Sequence, residues 1–293
     1  VYGGVCLMIW TWGIRMGQGI RLTRNRLIVS ALLLFAAAGA AAILFLLYKY
    51  PTPEFFRTPE DNRNILVAHA GGQIDGNTYT NSLEALKLSI ASGFKFIELD
   101  LLVSCDGKIV AAHDWKHFNS ITGAGESESC LGSLEHAERK ILGTYSPLGV
   151  DKINAIFSQN EELYLVTDKI SDFEALTTHQ EIPAERLLVE LFTYSDYVRA
   201  LKSGIRYPML CIWDKKTFRK HERRFYFERI AMITLPAKLV PELEEELAAL
   251  HADGVTIFAF SSNDAVYTGK YLNRNVTGVY TDFLLPADLR GDE

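Results

Sequence analysis

The stretch KFIELDLLVSCDGKIVAAHD, from Lys95 to Asp114, contains two apolar runs that are typical of β-strands. Ionisable residues interrupt these runs, since Glu98 and Asp100 lie within the first and His113 closes the second. Residues two apart on a strand share a face, so the two carboxylates point together while the apolar residues beside them take the opposite face. The pattern predicts a buried strand that carries chemically active groups on one side.

A regular alternation of short β-branched runs and helical patterns extends outward from this stretch. It begins with ILVAHA at residues 65–70 and ends with VTGVYTDF at residues 276–283. About eight strands result if the second strand and its neighbour form one unit with an inserted arm. Such units over residues 64–293 predict an α/β fold, a (β/α)8 TIM barrel. A doubly wound open sheet is the alternative, but no G-x-G-x-x-G turn follows the first strand.

An uncharged apolar segment from Leu27 to Leu47 predicts a transmembrane helix at residues 27–48. As a helix it would be about 31 Å long, which is enough to span the hydrocarbon core of a bilayer. Arginines precede the segment and mixed charges follow it, so the positive-inside rule puts the N-terminus in the cytoplasm. We therefore expect a single-pass protein of the cytoplasmic membrane with its barrel on the extracytoplasmic side. A cleaved signal peptide is the competing interpretation.

The predicted organisation is a cytoplasmic segment at residues 1–26, the anchor, a Pro-rich linker at residues 49–63 and the barrel at residues 64–293. The start of the first segment is doubtful, because the chain opens on Val1 with methionines only further along. The formal net charge of −6 gives no support to nucleic-acid binding, and no basic patch with interleaved aromatic residues stands out. We expect no nucleic-acid partner.

Two cysteines, Cys105 and Cys130, lie in polar, loop-like sequence. In an exported domain they could form a disulfide that braces the loop after the opening stretch. The sequence leaves this pairing and two unpaired thiols equally open.

The pair Glu98 and Asp100 requires something that stabilises two neighbouring carboxylates in a barrel wall. Burying them without compensation would be heavily penalised, and like charges this close raise the pKa of one carboxyl. A hard divalent cation resolves both problems, since Mg²⁺ and Ca²⁺ prefer carboxylate oxygens. The spacing of the two carboxylates does not distinguish a cation site from a pair of rim carboxylates that form salt bridges with Lys or Arg.

Two histidines add weight to a functional site. His69 ends the first strand in ILVAHAGG, and His113 ends another in KIVAAHDW. The C-terminal ends of barrel strands converge on one mouth, so residues far apart in sequence become neighbours there. Two histidines and two carboxylates at such ends indicate an acid–base pair beside a metal.

The sequences VAHAGG, TYTNSLEAL and GFKFIELDLLVSCDGKIVAAHDW, in this order, resemble the opening signature of the glycerophosphodiester phosphodiesterase family. That signature runs His-Arg-Gly, Glu-Asn-Thr, Glu-x-Asp, Asp-Gly and His-Asp. Further on, LYLVTDKI is similar to the family's third-strand motif and TGVYTDFLLP to its closing strand. The resemblance covers about residues 64–286 and is sharpest from Leu66 to Trp115.

This resemblance implies a (β/α)8 barrel that hydrolyses phosphodiesters with a divalent cation, Mg²⁺ or Ca²⁺. Carried over by motif, it implies that Glu98 and Asp100 bind the metal and that His69 and His113 are the general acid–base pair. One histidine would help water or a substrate hydroxyl to attack, and the other would protonate the leaving alkoxide. Near neutral pH, imidazole is the side chain best suited to both tasks.

The chain departs from the family's pattern at two places. The Arg after the first histidine is Ala70 here, so another cation must compensate or the substrate is held differently. The third-strand motif Glu-x-Lys reads Thr167-Asp168-Lys169. Either Lys169 keeps its position and Thr167 replaces the Glu, or Asp168 is the ligand and the Lys slips by one, and a regular strand cannot combine the two. We expect Asp168 to be the third metal ligand, while a bulge could let Lys169 contact the substrate phosphate.

Three further residues have weaker claims. Phe260 in FAFSSN replaces the family's late Trp, which would keep an apolar wall without an indole N–H. Glu190 is another strand carboxylate that could approach the mouth, and a salt-bridged rim position explains it equally well. Trp115 could line the entrance or pack under the insertion.

The sequence thus predicts a membrane-anchored, metal-dependent phosphodiesterase acting on glycerophosphodiesters or related lipid-head-group phosphodiesters. The expected partners are a small-molecule or lipid-derived phosphodiester and the membrane. A phospholipase of the phosphatidylinositol or sphingomyelin type is the enzymatic alternative. A non-catalytic barrel that binds an envelope phospholipid or glycan is the other, motivated by Ala70.

Overall fold

The computed structural model describes Leu33, residues 65–228 and residues 230–289. Within these residues the strands are β1 Ile65–Ala68, β2 Phe96–Val103, β3 Ile109–Ala111, β4 Tyr164–Asp168, β5 Leu187–Leu191, β6 Tyr207–Cys211, β7 Met232–Pro236, β8 Thr256–Phe260 and β9 Gly278–Thr281. The α-helices are α1 Leu83–Ala91, α2 Trp115–Ile121, α3 Ser133–Glu138, α4 Val150–Gln159, α5 Phe173–His179, α6 Tyr194–Lys202, α7 Lys215–Phe227, α8 Glu244–Ala252 and α9 Ala265–Tyr271.

Eight of these strands close into a parallel barrel. β1 pairs with both β2 and β9, and parallel pairs connect β2 through β4 to β9 in chain order. The predicted (β/α)8 barrel is therefore confirmed and the open doubly wound sheet is excluded. All nine strands lie in the second of the chain's two compact units, and within the described residues the barrel closes without a strand from elsewhere. A unit that contains a closed barrel and its own core is expected to fold by itself.

The transmembrane helix predicted at residues 27–48 lies outside the described residues, apart from Leu33. In the part of the chain that the structure describes, no helix combines the length and apolarity needed to cross a membrane.

Strand β2 shows how the sequence builds two layers. Ile97 and Leu99 face outward into the larger hydrophobic cluster, which the helices cover. Phe96 faces inward and belongs to the cluster that fills the barrel. Gly278 makes room for this filling, because a Cβ atom there would lie 2.5 Å from the ring of Phe258. The inward positions above Phe96 are Glu98 and Asp100, so the predicted alternation places both carboxylates inside the barrel.

The inserted arm is an antiparallel hairpin followed by two short helices. β3 pairs antiparallel with the end of β2, with Leu101 opposite Ala111. The segment that follows, with α2 and α3, packs around a small apolar cluster of its own. Cys105 and Cys130 are joined by a disulfide with a Cα–Cα distance of 5.7 Å, which ties the hairpin turn to this segment. The pairing that the sequence left open is therefore the disulfide.

Candidate active site

Three carboxylates meet at the C-terminal mouth of the barrel. Glu98 and Asp100 come from β2, and Asp168 is the last residue of β4, where it is the register partner of Asp100. One ligand oxygen of each residue lies within 4.8 Å of those of the others. Among the described residues, this is the one group of acids, histidines and cysteines that could hold a metal ion.

The electrostatics of this triad are unfavourable as it stands. Burial raises the pKa of Glu98 well above its usual range, and the charges of Asp100 and Asp168 add to the effect. Burial likewise raises the pKa of Asp168, again together with Asp100. Glu98 Oε1 and Asp168 Oδ1 are both buried without a hydrogen-bond partner. Orphaned carboxylate oxygens that converge are what a hard divalent cation requires, so the residues fit such an ion.

Backbone and amide groups hold two of the carboxylates in place. The N–H of Ala70 donates to Glu98 Oε2 at 2.6 Å. Asn81 forms two hydrogen bonds with Asp100. Its Nδ2 donates to Asp100 Oδ2 at 2.9 Å, and its Oδ1 accepts from the Asp100 N–H at 3.0 Å. Ala70 and Asn81 both have positive φ, 50° and 48°. Ala70 thus supplies an N–H to the triad and no cation to a substrate.

Lys169 also faces the mouth, by a different route from the predicted bulge. The pairing of β4 with β2 is regular up to Asp168, and Lys169 then adopts a left-handed conformation with φ of 58°. This turn returns the side chain to the mouth, where Nζ lies 2.8 Å from Asp168 Oδ2 and 3.8 Å from Asp100 Oδ1. Burial favours the neutral amine, but the Asp168 carboxylate outweighs it and raises the pKa of Lys169. Strand β4 therefore contains no bulge, and the left-handed residue after its end brings both side chains to the mouth.

His69 follows β1 directly and is backed by a carboxylate. Its Nδ1 lies 2.9 Å from Asp282 Oδ1, and Asn263 Nδ2 donates to Asp282 Oδ2 at 2.9 Å. Burial alone would raise the pKa of Asp282, but the hydrogen bonds from His69 and Asn263 outweigh it and lower the pKa. An ionised carboxylate only accepts hydrogen bonds, so Nδ1 of His69 carries the proton and Nε2 is free to accept one.

His113 comes to the site from outside the barrel wall. The strand before it, β3, runs antiparallel to β2, so His113 is not at the end of a parallel barrel strand as the pattern suggested. The hairpin returns the chain to the mouth, where the N–H of Ala112 donates to the carbonyl of Asp100 at 2.9 Å. His113 Nδ1 lies 2.6 Å from Asp114 Oδ2, which gives this histidine a carboxylate as well.

Tyr79 connects the two histidines. Its ring centroid lies 4.6 Å from that of His69 and 5.8 Å from that of His113, edge-on to both. Burial raises the pKa of the Tyr79 phenol, and Asp282, Asp100 and Glu98 add to the effect. Tyr79 therefore lies in the field of the carboxylates as well as between the imidazoles.

Glu190 lies inside the barrel, on β5, and not at a salt-bridged rim. It is buried, accepts a hydrogen bond from the Tyr280 hydroxyl at 3.2 Å and has no ion pair among the described residues. Burial raises the pKa of Glu190. This carboxyl lies outside the group that could hold a metal and forms part of the polar floor next to Asp168.

An aromatic wall borders the mouth on the side of β5, β6 and β8. Trp213 packs against Phe192 and Phe260, with ring centroids 5.5 Å apart in both pairs. Lys169 Nζ lies 5.1 Å from the centroid of the Phe192 ring. The wall therefore keeps an indole, supplied by Trp213 and not by the position of Phe260. Trp115 contacts Phe118 and His136 and packs within the insertion.

Sequence reasoning missed the residues that hold this site together. Asp282 stood in the closing motif TGVYTDFLLP and Asn81 in TYTNSLEAL, yet neither received a role. Their place in motifs similar to the family's was the signal that could have found them. Nothing in the sequence around Tyr79 indicates that its ring lies between two histidines, because that contact depends on the tertiary fold.

The fold and the site together define a class of protein, the parallel barrels with a polar site at the mouth. Here the mouth contains a candidate cation site, two histidines paired with carboxylates, and one lysine. Residues 70–138 match the model of the glycerophosphoryl diester phosphodiesterase family. This range contains Glu98, Asp100 and His113, so the match confirms the resemblance that the motifs indicated.

Solved structures support the fold. Glycerophosphodiester phosphodiesterase from Thermotoga maritima is 21% identical, with a TM-score of 0.56 over 75% of this chain and 95% of that one. A glycerophosphoryl diester phosphodiesterase from Parabacteroides distasonis is 16% identical, with a TM-score of 0.58 over 82% and 87%. A phosphodiesterase from Oleispira antarctica, solved with the product sn-glycerol-3-phosphate, is 18% identical, with a TM-score of 0.57 over 77% and 94%. A search of curated proteins gave no match.

Proposed function

We propose that this protein is a divalent-cation-dependent phosphodiesterase that hydrolyses glycerophosphodiesters to sn-glycerol 3-phosphate and an alcohol. The observation that carries the proposal is the triad Glu98, Asp100 and Asp168, whose converging buried oxygens stand beside two carboxylate-backed histidines. The family match over residues 70–138 and the fold of its neighbours support phosphodiester hydrolysis as the reaction. The Oleispira antarctica neighbour binds sn-glycerol-3-phosphate, which supports glycerol as one side of the substrate.

The triad would hold the cation, Mg²⁺ or Ca²⁺, which supplies charge neutralisation at the phosphoryl oxygens when bound. The donor set favours these hard ions, because it consists of carboxylate oxygens only. Asn81 and the Ala70 N–H keep Asp100 and Glu98 oriented toward one point.

The protein's own groups then divide the remaining work. The Lys169 ammonium, held between Asp100 and Asp168, binds a non-bridging phosphate oxygen in place of the guanidinium that Ala70 lacks. His69 and His113 move the protons: one accepts from the attacking water or substrate hydroxyl, and the other donates to the departing alkoxide. The aspartates at their Nδ1 atoms fix both rings so that Nε2 takes part in each transfer.

The cellular setting is proposed from the sequence alone. Residues 27–48 would anchor the protein in the cytoplasmic membrane, with the barrel on the extracytoplasmic side. The disulfide between Cys105 and Cys130 agrees with an oxidising compartment.

The test uses residues 50–293, assayed on glycerophosphocholine with Mg²⁺, with Ca²⁺ and with EDTA, while released sn-glycerol 3-phosphate is measured. Turnover that EDTA abolishes and that either cation restores supports the proposal. His69→Gln and His113→Gln should lose activity, while the control His251→Gln, on the outer helix α8, should keep it.

A parallel assay on phosphatidylinositol separates the phospholipase alternative from the glycerophosphodiesterase. A folded sample that hydrolyses neither substrate with either cation would contradict the proposed phosphodiesterase activity. Ligand binding that survives both histidine substitutions, without turnover, would favour the non-catalytic barrel.

A further inference from the structure

Helix α7 is strongly basic although the chain as a whole is acidic. Its sequence KKTFRKHERRFYF contains six Lys and Arg residues and one Glu, a formal charge of +5 by subtraction, in a chain whose net charge is −6. The charge of the whole chain therefore hides a cationic helix, with aromatic residues interleaved, on the outside of the barrel. The net charge of the whole chain therefore does not describe the charge of this surface, and the sequence does contain a basic patch with interleaved aromatic residues.

Half of these cations are already used within the fold. Lys215 pairs with Glu242 at 3.2 Å. Arg224 pairs with Glu228 at 2.9 Å. Arg219 pairs with two carboxylates, Glu246 of α8 and Glu222 of the same helix.

The other three cations form what we call the basic stripe: Lys216, Lys220 and Arg223. All are exposed, and none has an ion pair among the described residues. Their spacing of four and three residues places them within an arc of about 60° at about 100° per residue. The buried residues Phe218 and Phe225 lie on the opposite side of the helix.

The stripe is therefore directed away from the barrel. Like charges at these spacings destabilise an isolated helix, so the stripe is costly unless an anionic partner meets it. Along the axis it extends about 10 Å, from the helix start near the mouth. A stripe of three charges neutralises about three phosphates, fewer than the roughly six to ten contacts that make nucleic-acid binding steeply dependent on salt.

An exposed tryptophan stands next to the stripe. Trp213 precedes α7, and 47% of its surface is accessible although it packs against Phe192 and Phe260. Indole rings of this kind partition into the head-group region of bilayers, where basic side chains meet anionic lipids. An exposed indole beside unpaired cations is the combination that an anionic bilayer surface takes up.

We propose that the basic stripe of α7 docks the barrel onto an anionic lipid surface, with Trp213 at the level of the head groups. The docking side adjoins the aromatic wall of the mouth, so it would bring the rim of the site close to the lipid. Charge complementarity carries the choice of partner, and each basic residue contributes about fivefold to partitioning. The three together therefore contribute on the order of a hundredfold.

The test uses residues 50–293, which lack the apolar segment and contain the whole barrel, and circular dichroism first checks that the fragment is folded. Sedimentation is measured with vesicles of phosphatidylcholine alone and of phosphatidylcholine mixed with phosphatidylglycerol. The stripe variant changes Lys216, Lys220 and Arg223 to Gln. A matched control changes three exposed lysines elsewhere to Gln, which are Lys87, Lys108 and Lys202.

Trp115→Phe leaves Trp213 as the one tryptophan of this fragment, so its emission reports docking directly. We expect binding to the anionic vesicles only, a blue shift of the Trp213 emission, and weakening by added salt. The stripe variant should lose about a hundredfold in partitioning, and the control should stay within about threefold of the parent.

Three results would overturn the proposal. They are no binding of the folded fragment to anionic vesicles, equal partitioning of the stripe and control variants, and equally tight stripe-dependent binding of a single-stranded oligonucleotide. None of these measurements involves substrate, so they stand apart from the activity assays.

Discussion

Replacing Asp282 by Asn should disable His69 by changing which ring nitrogen carries the proton. Asn263 Oδ1 accepts from the N–H groups of Asp282 and Phe283, so the Asn263 NH₂ group must face residue 282. The introduced amide would then turn its oxygen toward Asn263 and its NH₂ toward His69 Nδ1. Nδ1 would become an acceptor, and Nε2 would carry the proton.

The magnitude follows from the role of the imidazole. A neutral His69 with its proton on Nε2 cannot accept one there, and general acid–base catalysis contributes about 10²–10⁴-fold. At about 1.4 kcal/mol per factor of ten, this loss raises the barrier by about 3–5 kcal/mol. The same change behind a catalytic histidine in serine proteases costs about 10⁴ in kcat. We expect kcat to fall by a comparable factor, with a smaller effect on KM.

A rescue variant makes the prediction specific. Combining Asp282→Asn with Asn263→Asp reverses the polarity of that contact, so the introduced amide donates to residue 263 and turns its oxygen to His69. The double variant keeps the net charge and should recover at least tenfold of the lost kcat. The assay is steady-state hydrolysis of glycerophosphocholine across pH, with unfolding curves for each variant. A kcat of Asp282→Asn within about threefold of the parent, or a double variant whose kcat does not recover, would show that Asp282 does not set the tautomer of His69.

Three other outcomes are expected. Asp168→Asn should abolish the rise in Tm that Ca²⁺ or Mg²⁺ gives the parent, because the cation loses a ligand. The control Asp253→Asn, on the surface, should keep the rise. Thermal unfolding with and without cation measures both. His136 is buried and its pKa is lowered from 6.5 to about 4, so the unfolded chain binds a proton that the folded one does not. Stability is therefore lost as pH falls below about 6.5, by about 2.5 kcal/mol at pH 4.5, and His136→Gln should flatten this part of the urea-unfolding profile. Reducing the disulfide Cys105–Cys130, whose cysteines are 25 residues apart, should lower the free energy of unfolding by about 3.5 kcal/mol in the same urea assay.

The architecture was predictable because it depends on local periodicity. Apolar alternation located the barrel strands, and the facing rule placed Glu98 and Asp100 inside. The helices of the insertion, α2 and α3, were not predicted, since they are short and lie in sequence rich in Gly and Ser. Their stability depends on an apolar cluster assembled from distant residues, which no local pattern shows.

The site was predictable only in part, for a related reason. In a regular strand β4, only one of Asp168 and Lys169 could face the mouth. The left-handed backbone at Lys169 turns its side chain back, so both residues face the mouth. Such a conformation at a lysine has no sequence signature. The carboxylate behind His69 and the ring of Tyr79 come from loops that only the closed barrel brings together. Local sequence specified the ligand-type residues but not the groups that orient them.

A crystal of residues 50–293 soaked in Ca²⁺ would show whether the three carboxylates bind the cation, because anomalous scattering locates the ion without any assumption about activity. We expect one Ca²⁺ ion within about 2.6 Å of oxygens from Glu98, Asp100 and Asp168 together. We also expect this ion to be lost in Asp168→Asn crystals. A triad without an ion, under conditions where the same protein shows cation-dependent turnover, would contradict the proposed cation site.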